Sequence, residues 1–179
     1  PYCFQGRRTF IEIFAKENPE LLENQLGETN KDKIKALTKS PEYLAIVNEK
    51  IYPSEIASGQ VGNIYTGSIF LGLLSTLCHN FREKSNLTNA KFGFVAYGSG
   101  SKSKVFEGTI QADWELAVAK TQLFETLEQS HEIDFTTYEK LHKKEQKQSV
   151  KTPKSEWVLD RVENENPNLI GARYYKWID

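Results

Sequence analysis

The sequence predicts an α/β chain in which helices and strands alternate and pack in layers. Three observations point there. The run Tyr65 to Phe81 is long enough for a helix, and its Ile69, Phe70, Leu71, Leu73, Leu74 and Leu77 leave little polar face, so burial on most sides is expected. Lys91 to Tyr97 is short and aromatic and reads as a buried strand, with Lys102 to Gln111 alternating enough to pair with it. Two glycine-bracketed segments adjoin these runs: Gly62-Asn63-Ile64-Tyr65-Thr66-Gly67-Ser68 opens the helix and Ala96-Tyr97-Gly98-Ser99-Gly100-Ser101 follows the strand. Glycine permits a tight turn and close approach to a ligand, while Asn and Ser bring short hydrogen-bonding groups. Two such segments in one domain, each fed by a buried element, point to a shared polar pocket.

The remaining elements follow from periodicity and punctuation. Phe4 to Glu17 carries Phe10, Ile11, Ile13 and Phe14 at helical spacing and stops before Asn18-Pro19. Residues 18–53 are richer in charge and hold two proline-opened helices, at Asn18-Pro19-Glu20 and Ser40-Pro41-Glu42, each with a capping residue before the proline. Gly27 to Lys31 between them is expected to be a solvated loop, and the whole region to be a helical insertion over the core. Ala112 to Gln129 is amphipathic and predicts one helix, and Asp134-Phe135-Thr136-Thr137 caps another that runs to Gln146. Trp157 to Val162 and Ile170 to Trp177 read as two strands joined by the turn Glu163 to Asn168.

Composition narrows the function classes. The 179 residues are 39% hydrophobic and 26% charged with net charge -1, values of an ordinary globular domain. The balanced charge gives no reason to expect a nucleic-acid or membrane partner. Two cysteines and three histidines show neither a disulfide framework nor zinc-ligand spacing, so a reducing, cytoplasmic setting and no metal are expected. The most apolar stretch, Ile69 to Leu77, is too short to cross a bilayer. The opening at Pro1, without methionine, reads as a piece cut from a longer chain.

Few residues carry chemistry unaided. Cys3 sits at a helix start beside Arg7 and Arg8, features that lower a thiol pKa, yet no histidine-based activation motif accompanies it. Cys78, inside the apolar helix, reads as packing. His79, His131 and His142 pair with no carboxylate at a recognisable spacing. The lysines from Lys140 to Lys154 are interleaved with glutamate and read as a solvated face. Gly98 to Ser103 lacks Walker spacing and precedes a strand, which leaves close approach to a small ligand or a plain hairpin turn. Asn63 suits either an N-cap or a site residue.

These same segments carry a resemblance. Gly62 to Ser68, followed by Ile69-Phe70-Leu71-Gly72-Leu73-Leu74-Ser75, resembles the asparagine motif of hydroxymethylglutaryl-CoA synthases. Phe94 to Gly100 is similar to their Tyr-Gly-Ser-Gly segment, and Pro1-Tyr2-Cys3 looks like the end of their His-x-Pro-Tyr-Cys stretch. The order agrees, and the tail looks most like Bacteroidetes forms. The resemblance implies the C-terminal half of a thiolase-like fold over residues 1–179. It also implies an acyltransferase that condenses acetyl-CoA with acetoacetyl-CoA to hydroxymethylglutaryl-CoA in the mevalonate route to isoprenoids.

By the same resemblance, no cofactor is needed beyond the two thioester substrates. The family's nucleophilic cysteine, general acid/base glutamate and orienting histidine are expected upstream of Pro1, so no catalytic residue lies in this chain and the chain alone is expected to be inactive. Cys3 matches a position that is not the nucleophile. Asn63 and Ser99 match residues that contact the acetoacetyl group, and should face one cavity. Arg8 stands where a CoA-contacting lysine is often found, while Phe4 replaces a second. Partners implied are acyl-CoA thioesters, the N-terminal half and a second copy in a homodimer. Two other readings remain: a homologue that installs β-branches on carrier-protein-bound polyketides, and a non-catalytic thiolase-like binding module.

Overall fold

The computed structural model describes residues 3–98, 100 and 102–179. They cluster into two compact units, Pro1–Gln129 and Ser130–Asp179.

The first unit begins with α1 (Cys3–Glu17), which ends where the Asn18 side chain donates back to the Phe14 carbonyl at 2.8 Å. Three helices follow in the charged region: α2 (Pro19–Glu23), α3 (Asn30–Leu37) and α4 (Pro41–Lys50). Ser40 caps α4 by accepting from the Tyr43 amide at 3.2 Å. The Gly27 to Lys31 loop is shorter than expected, because Thr29 caps α3. The Thr29 hydroxyl accepts from the Asp32 amide, and Asp32 accepts from Thr29 in return, a reciprocal cap that starts the helix at Asn30. Ile11, Phe14 and Ala15 of α1 pack with Leu37, Tyr43 and Val47 into the first core. Tyr43 lies edge-on to Phe14 at 5.4 Å and donates its hydroxyl to the Arg7 carbonyl at 2.9 Å, which ties α4 to α1.

A second core forms around α5 (Tyr52–Val61) and α6 (Ser68–Arg82), joined through Gly62 to Ile64 and a single 3-10 turn at Tyr65–Gly67. Helix α5 is an element the sequence reading lacked. The reading of α6 also needs correction: its leucines are only half-buried and Phe70 is exposed, whereas Ser68, Ser75, Thr76 and Cys78 are buried. Gly72 and Ser75, three residues apart, lie on one helix face against α5. A Cβ at Gly72 would stand 3.5 Å from the Ser54 carbonyl oxygen, so the two backbones approach closely there. The Ser75 hydroxyl accepts from the Ala57 amide at 3.2 Å and donates to the Pro53 carbonyl at 2.6 Å. Hydrophobicity alone put the leucines inside; the close helix contact instead selects small residues.

Strands β1 (Lys91–Gly98) and β2 (Lys102–Thr109) form an antiparallel hairpin, in register from Lys91 opposite Thr109 to Gly98 opposite Lys102. The expected pairing is present, but β1 is not a buried strand. One face is half-covered and holds Phe94 stacked on Phe106 at 4.7 Å; Val95, Tyr97 and Val105 on the other are exposed. A two-stranded sheet has no inner strand to bury. The single helix expected from Ala112 to Gln129 is two, α7 (Trp114–Val118) and α8 (Leu123–Glu128). Gln122, with φ +46°, interrupts them. Their Trp114, Val118 and Phe124 join Ala57 and Cys78 in the second core.

The second unit contains α9 (Phe135–His142) and the antiparallel hairpin of β3 (Glu156–Val162) with β4 (Arg173–Ile178). Asp134 caps α9, accepting from the Thr137 amide at 2.6 Å. The helix ends four residues before Gln146, and Lys144 takes φ +62°. The hairpin pairs Trp157 with Trp177 and carries a bulge between Leu159 and Arg161. Strand β4 starts later than expected because residues 170–172 belong to the turn, where Gly171 takes φ +86°. No helix among the described residues is long and apolar enough to cross a membrane.

Candidate functional site

Asn63 lies in the connection between α5 and α6, and the local sequence forces an unusual backbone there. Gly62 ends α5 with φ +81° and ψ -152°, a region open essentially only to glycine. Three residues on, Tyr65 takes φ +53° although it has a full side chain, and it is 84% exposed. The Asn63 Oδ1 accepts from the Tyr65 amide at 2.7 Å, an Asx turn that holds this bend. Asn63 is therefore not the cap of α6: the residue preceding that helix is Gly67, and the helix has no side-chain cap. The 3-10 turn stands between Asn63 and the helix.

This arrangement has a chemical consequence. The side-chain oxygen of Asn63 is engaged and the residue is exposed, which leaves the two N–H groups of its amide nitrogen to donate to a ligand. Asn63 can act here as a hydrogen-bond donor to an acceptor such as a carbonyl oxygen. Ser68, which is 5% exposed, closes the turn from the other side by accepting the Ile64 amide at 3.3 Å. Two successive backbone N–H groups, of Ile64 and Tyr65, are thus each held by a side chain. Gly67 has a packing reason as well: a Cβ there would lie 3.0 Å from Ile64 Cδ1.

Arg8 lies on α1 with its side chain exposed. Arg7, one position earlier, is committed elsewhere. Its Nε donates to Glu55 Oε1 at 2.9 Å, and its Nη2 meets Oε2 at 2.5 Å. Glu55 is 8% exposed, and this bonded carboxylate holds the Arg7 pKa above its ordinary value. No local pattern signals this pair, whose members stand 48 positions apart. Of the two arginines beside Cys3, one is therefore neutralised. Cys3 itself is half-buried, with Sγ 3.9 Å from the Glu55 carbonyl.

Ser99 lies outside the described residues, so its placement relative to Asn63 does not enter the geometry. Its neighbours do: Gly98 ends β1 and pairs with Lys102, and Gly100 has open space where a Cβ would stand. A strand, not a helix, follows the turn, consistent with rejecting a phosphate loop. A cavity of about 210 Å³ is lined by Ile56, Gln60, His79, Arg82, Glu83, Phe124 and Glu128, and includes neither Asn63 nor Arg8. Its Arg82 is bonded to Glu125 at 2.8 Å and Glu128 at 3.1 Å. His142 stacks on Tyr138 at 5.9 Å, His131 is exposed, and Lys143 pairs with Glu139 at 3.1 Å. Among the described residues no group of His, Cys, Asp and Glu could hold a metal ion.

Comparison with solved structures places this mixed helix-and-hairpin chain in the thiolase-like fold class. It superposes on MvaS in complex with 3-hydroxy-3-methylglutaryl coenzyme A with TM-score 0.69 and 20% identity, over 100% of this chain and 40% of that one. The curacin biosynthetic pathway HMG synthase in complex with apo donor-ACP matches with TM-score 0.58 and 20% identity, over 83% of this chain and 39% of that one. Residues 11–166 match the family model for the hydroxymethylglutaryl-coenzyme A synthase C terminal. The chain belongs to that family. Similar relatives include hydroxymethylglutaryl-CoA synthases of Schizosaccharomyces pombe and Haloferax volcanii. The first is 30% identical over 154 residues, covering 78% of this chain and 34% of the relative. The second is 28% identical over 106 residues, covering 59% and 24%. The chain thus spans about a quarter to a third of the length of these relatives.

Proposed function

We propose that this chain forms the C-terminal part of a hydroxymethylglutaryl-CoA synthase that condenses acetyl-CoA with acetoacetyl-CoA and releases free CoA. The match of residues 11–166 to the family model carries this reading. In it, the acyl-accepting cysteine, the general acid/base and the orienting histidine come from the N-terminal half, and this chain contributes the acceptor side. Asn63 donates from its amide to a carbonyl oxygen of the acetoacetyl group, and Ser99 reaches the same group. Arg8, exposed and without an ion pair among the described residues, faces a CoA phosphate. Segment 18–53 is a helical insertion, the enzyme is a cytoplasmic homodimer, and no cofactor takes part.

The turn geometry supports the role given to Asn63, because it ties the oxygen to the backbone and leaves the amide nitrogen to donate. Donors aimed at an oxygen that gains charge during carbon–carbon bond formation stabilise the transition state more than the ground state. In the full-length enzyme, Asn63→Ala should lower condensation by about 10²–10³-fold and leave acetyl transfer to the enzyme nearly unchanged. Equal losses in both half-reactions would overturn this assignment.

A second reading, a β-branching synthase with a carrier-protein-bound acceptor, draws support from the shared fold with the curacin pathway synthase. The discriminating assay offers the full-length enzyme acetoacetyl groups on CoA and on carrier protein. Preference for CoA by kcat/KM supports the first reading, and preference for the carrier supports the second.

A further inference from the structure

The bend at Gly62 to Ser68 holds more order than an exposed loop needs. Ile64 and Tyr65 are exposed, so water could satisfy their amides at little cost. Instead the Ile64 amide is bound by a buried hydroxyl and the Tyr65 amide by the Asn63 side chain. Tyr65 is held at φ +53°, the left-handed region that a residue with a Cβ seldom adopts. Such a conformation persists only where its surroundings over-determine it.

Resting on the role proposed above for Asn63, we propose that Ser68 is a positioning residue for the condensation. Its hydroxyl, buried at the first turn of α6, anchors the Ile64 amide and so fixes the direction in which the Asn63 amide donates. The chain of contacts is short. Ser68 belongs to a helix end packed into the protein, Ile64 is the residue between Asn63 and Tyr65, and the peptide units on both sides of Ile64 are then tied. With two anchors the Asn63 side chain has one orientation; with one, the bend can swing about its remaining bond to Tyr65. The buried serine also explains why a polar residue occupies the start of an apolar helix. Ser68 touches no substrate in this account and acts through Asn63.

The test uses the full-length enzyme with both half-reactions assayed separately. Ser68→Ala should lower condensation kcat about 5- to 10-fold, the effect of one neutral hydrogen bond, with acetyl transfer unchanged. Ser68→Cys, nearly isosteric but a poor acceptor, should reproduce that loss, and Ser68→Thr should restore condensation to within about twofold. In an Asn63→Ala background, Ser68→Ala should add nothing, because the group it positions is gone. Equal loss in both half-reactions, or a full 5- to 10-fold further loss on top of Asn63→Ala, would overturn the inference and leave Ser68 a structural residue. Normal condensation by Asn63→Ala alone would instead overturn the reading of Asn63, a result seen without any Ser68 variant.

Discussion

The Ser75 hydroxyl of α6 binds the Ala57 amide of α5 at 3.2 Å while donating to the carbonyl of Pro53 at 2.6 Å. Pro53 and Ala57 are four apart, so one side chain of the neighbouring helix engages both ends of a single helical step. Ser75 has no exposed surface, and Ala57 has none either. The contact fixes how far α5 can slide along α6, and with it the bend that carries Asn63.

Ser75→Ala should therefore destabilise the protein by only about 1 kcal/mol, since the Pro53 carbonyl and Ala57 amide stand four apart within α5 and retain each other as helix partners. Ser75→Val should cost more, about 1–3 kcal/mol, because a larger, non-bonding side chain must fit where the helices are closest. Thermal unfolding of the two variants gives the comparison, and a Val variant as stable as Ala would contradict the close contact.

The pair between Arg7 and Glu55 predicts an asymmetry. Arg7→Ala leaves a buried carboxylate without its partner and should cost about 2 kcal/mol. That is below the usual loss for a fully buried pair, because the Arg7 side chain is 42% exposed and water can enter. Arg7→Lys should recover only part of it, since an ammonium cannot form the paired contacts. The double variant Arg7→Ala with Glu55→Gln should be more stable than Arg7→Ala alone. Denaturant titration of the three variants provides the check.

Asn63→Asp separates the two jobs of the side chain. A carboxylate still accepts from the Tyr65 amide, so the bend should persist, but it has no N–H to donate at neutral pH. Condensation should fall at least as far as in Asn63→Ala, by about 10²–10³-fold, with the thermal midpoint unchanged. Retention of activity in the aspartate variant would show that the donor is not what matters.

Two helix caps should titrate in acid. The Thr137 amide holds the Asp134 carboxyl below the usual range, and the Thr29 hydroxyl, followed by its amide, does the same for Asp32. A lowered folded-state value means that the stabilisation is fully present above the unfolded value of about 3.9. It is lost as pH falls through the lower, folded value. Carboxyl chemical shifts followed by NMR should show both aspartates titrating below an unfolded reference. Asp134→Asn, which also caps well, should weaken the acid dependence of α9 without removing the helix.

Gly62→Ala should impair the protein although nothing lies within 4 Å of the position of its Cβ. The cost comes from the backbone: φ +81° with ψ -152° is strained for any residue with a side chain, by about 1–3 kcal/mol. Relief of that strain would turn Asn63, so condensation should fall more than acetyl transfer does. Unchanged kinetics would show that the bend tolerates another path out of α5.

Much of this molecule was legible in local chemistry. Ser40 before Pro41, Asp134 before Phe135 and the run from Lys91 act within a few residues, and the capped helices and the hairpin stand where those signals put them. Thr29 with Asp32 carries the same kind of signal for α3, inside a stretch whose Gly27 and charged residues favour a loop. The two glycine-bracketed segments also marked the bend at Asn63 and the hairpin turn at Gly98. What no local pattern contained was the set of contacts across the chain. Glu55 is just an acidic residue in the first turn of a helix until folding brings Arg7 to it across 48 positions. Ser75 reads as a polar interruption of an apolar helix until Ala57 stands against it. Burial in α6 went to serine and threonine over leucine because the distance between two helix backbones, a property of the assembled fold, sets which side chains fit between them.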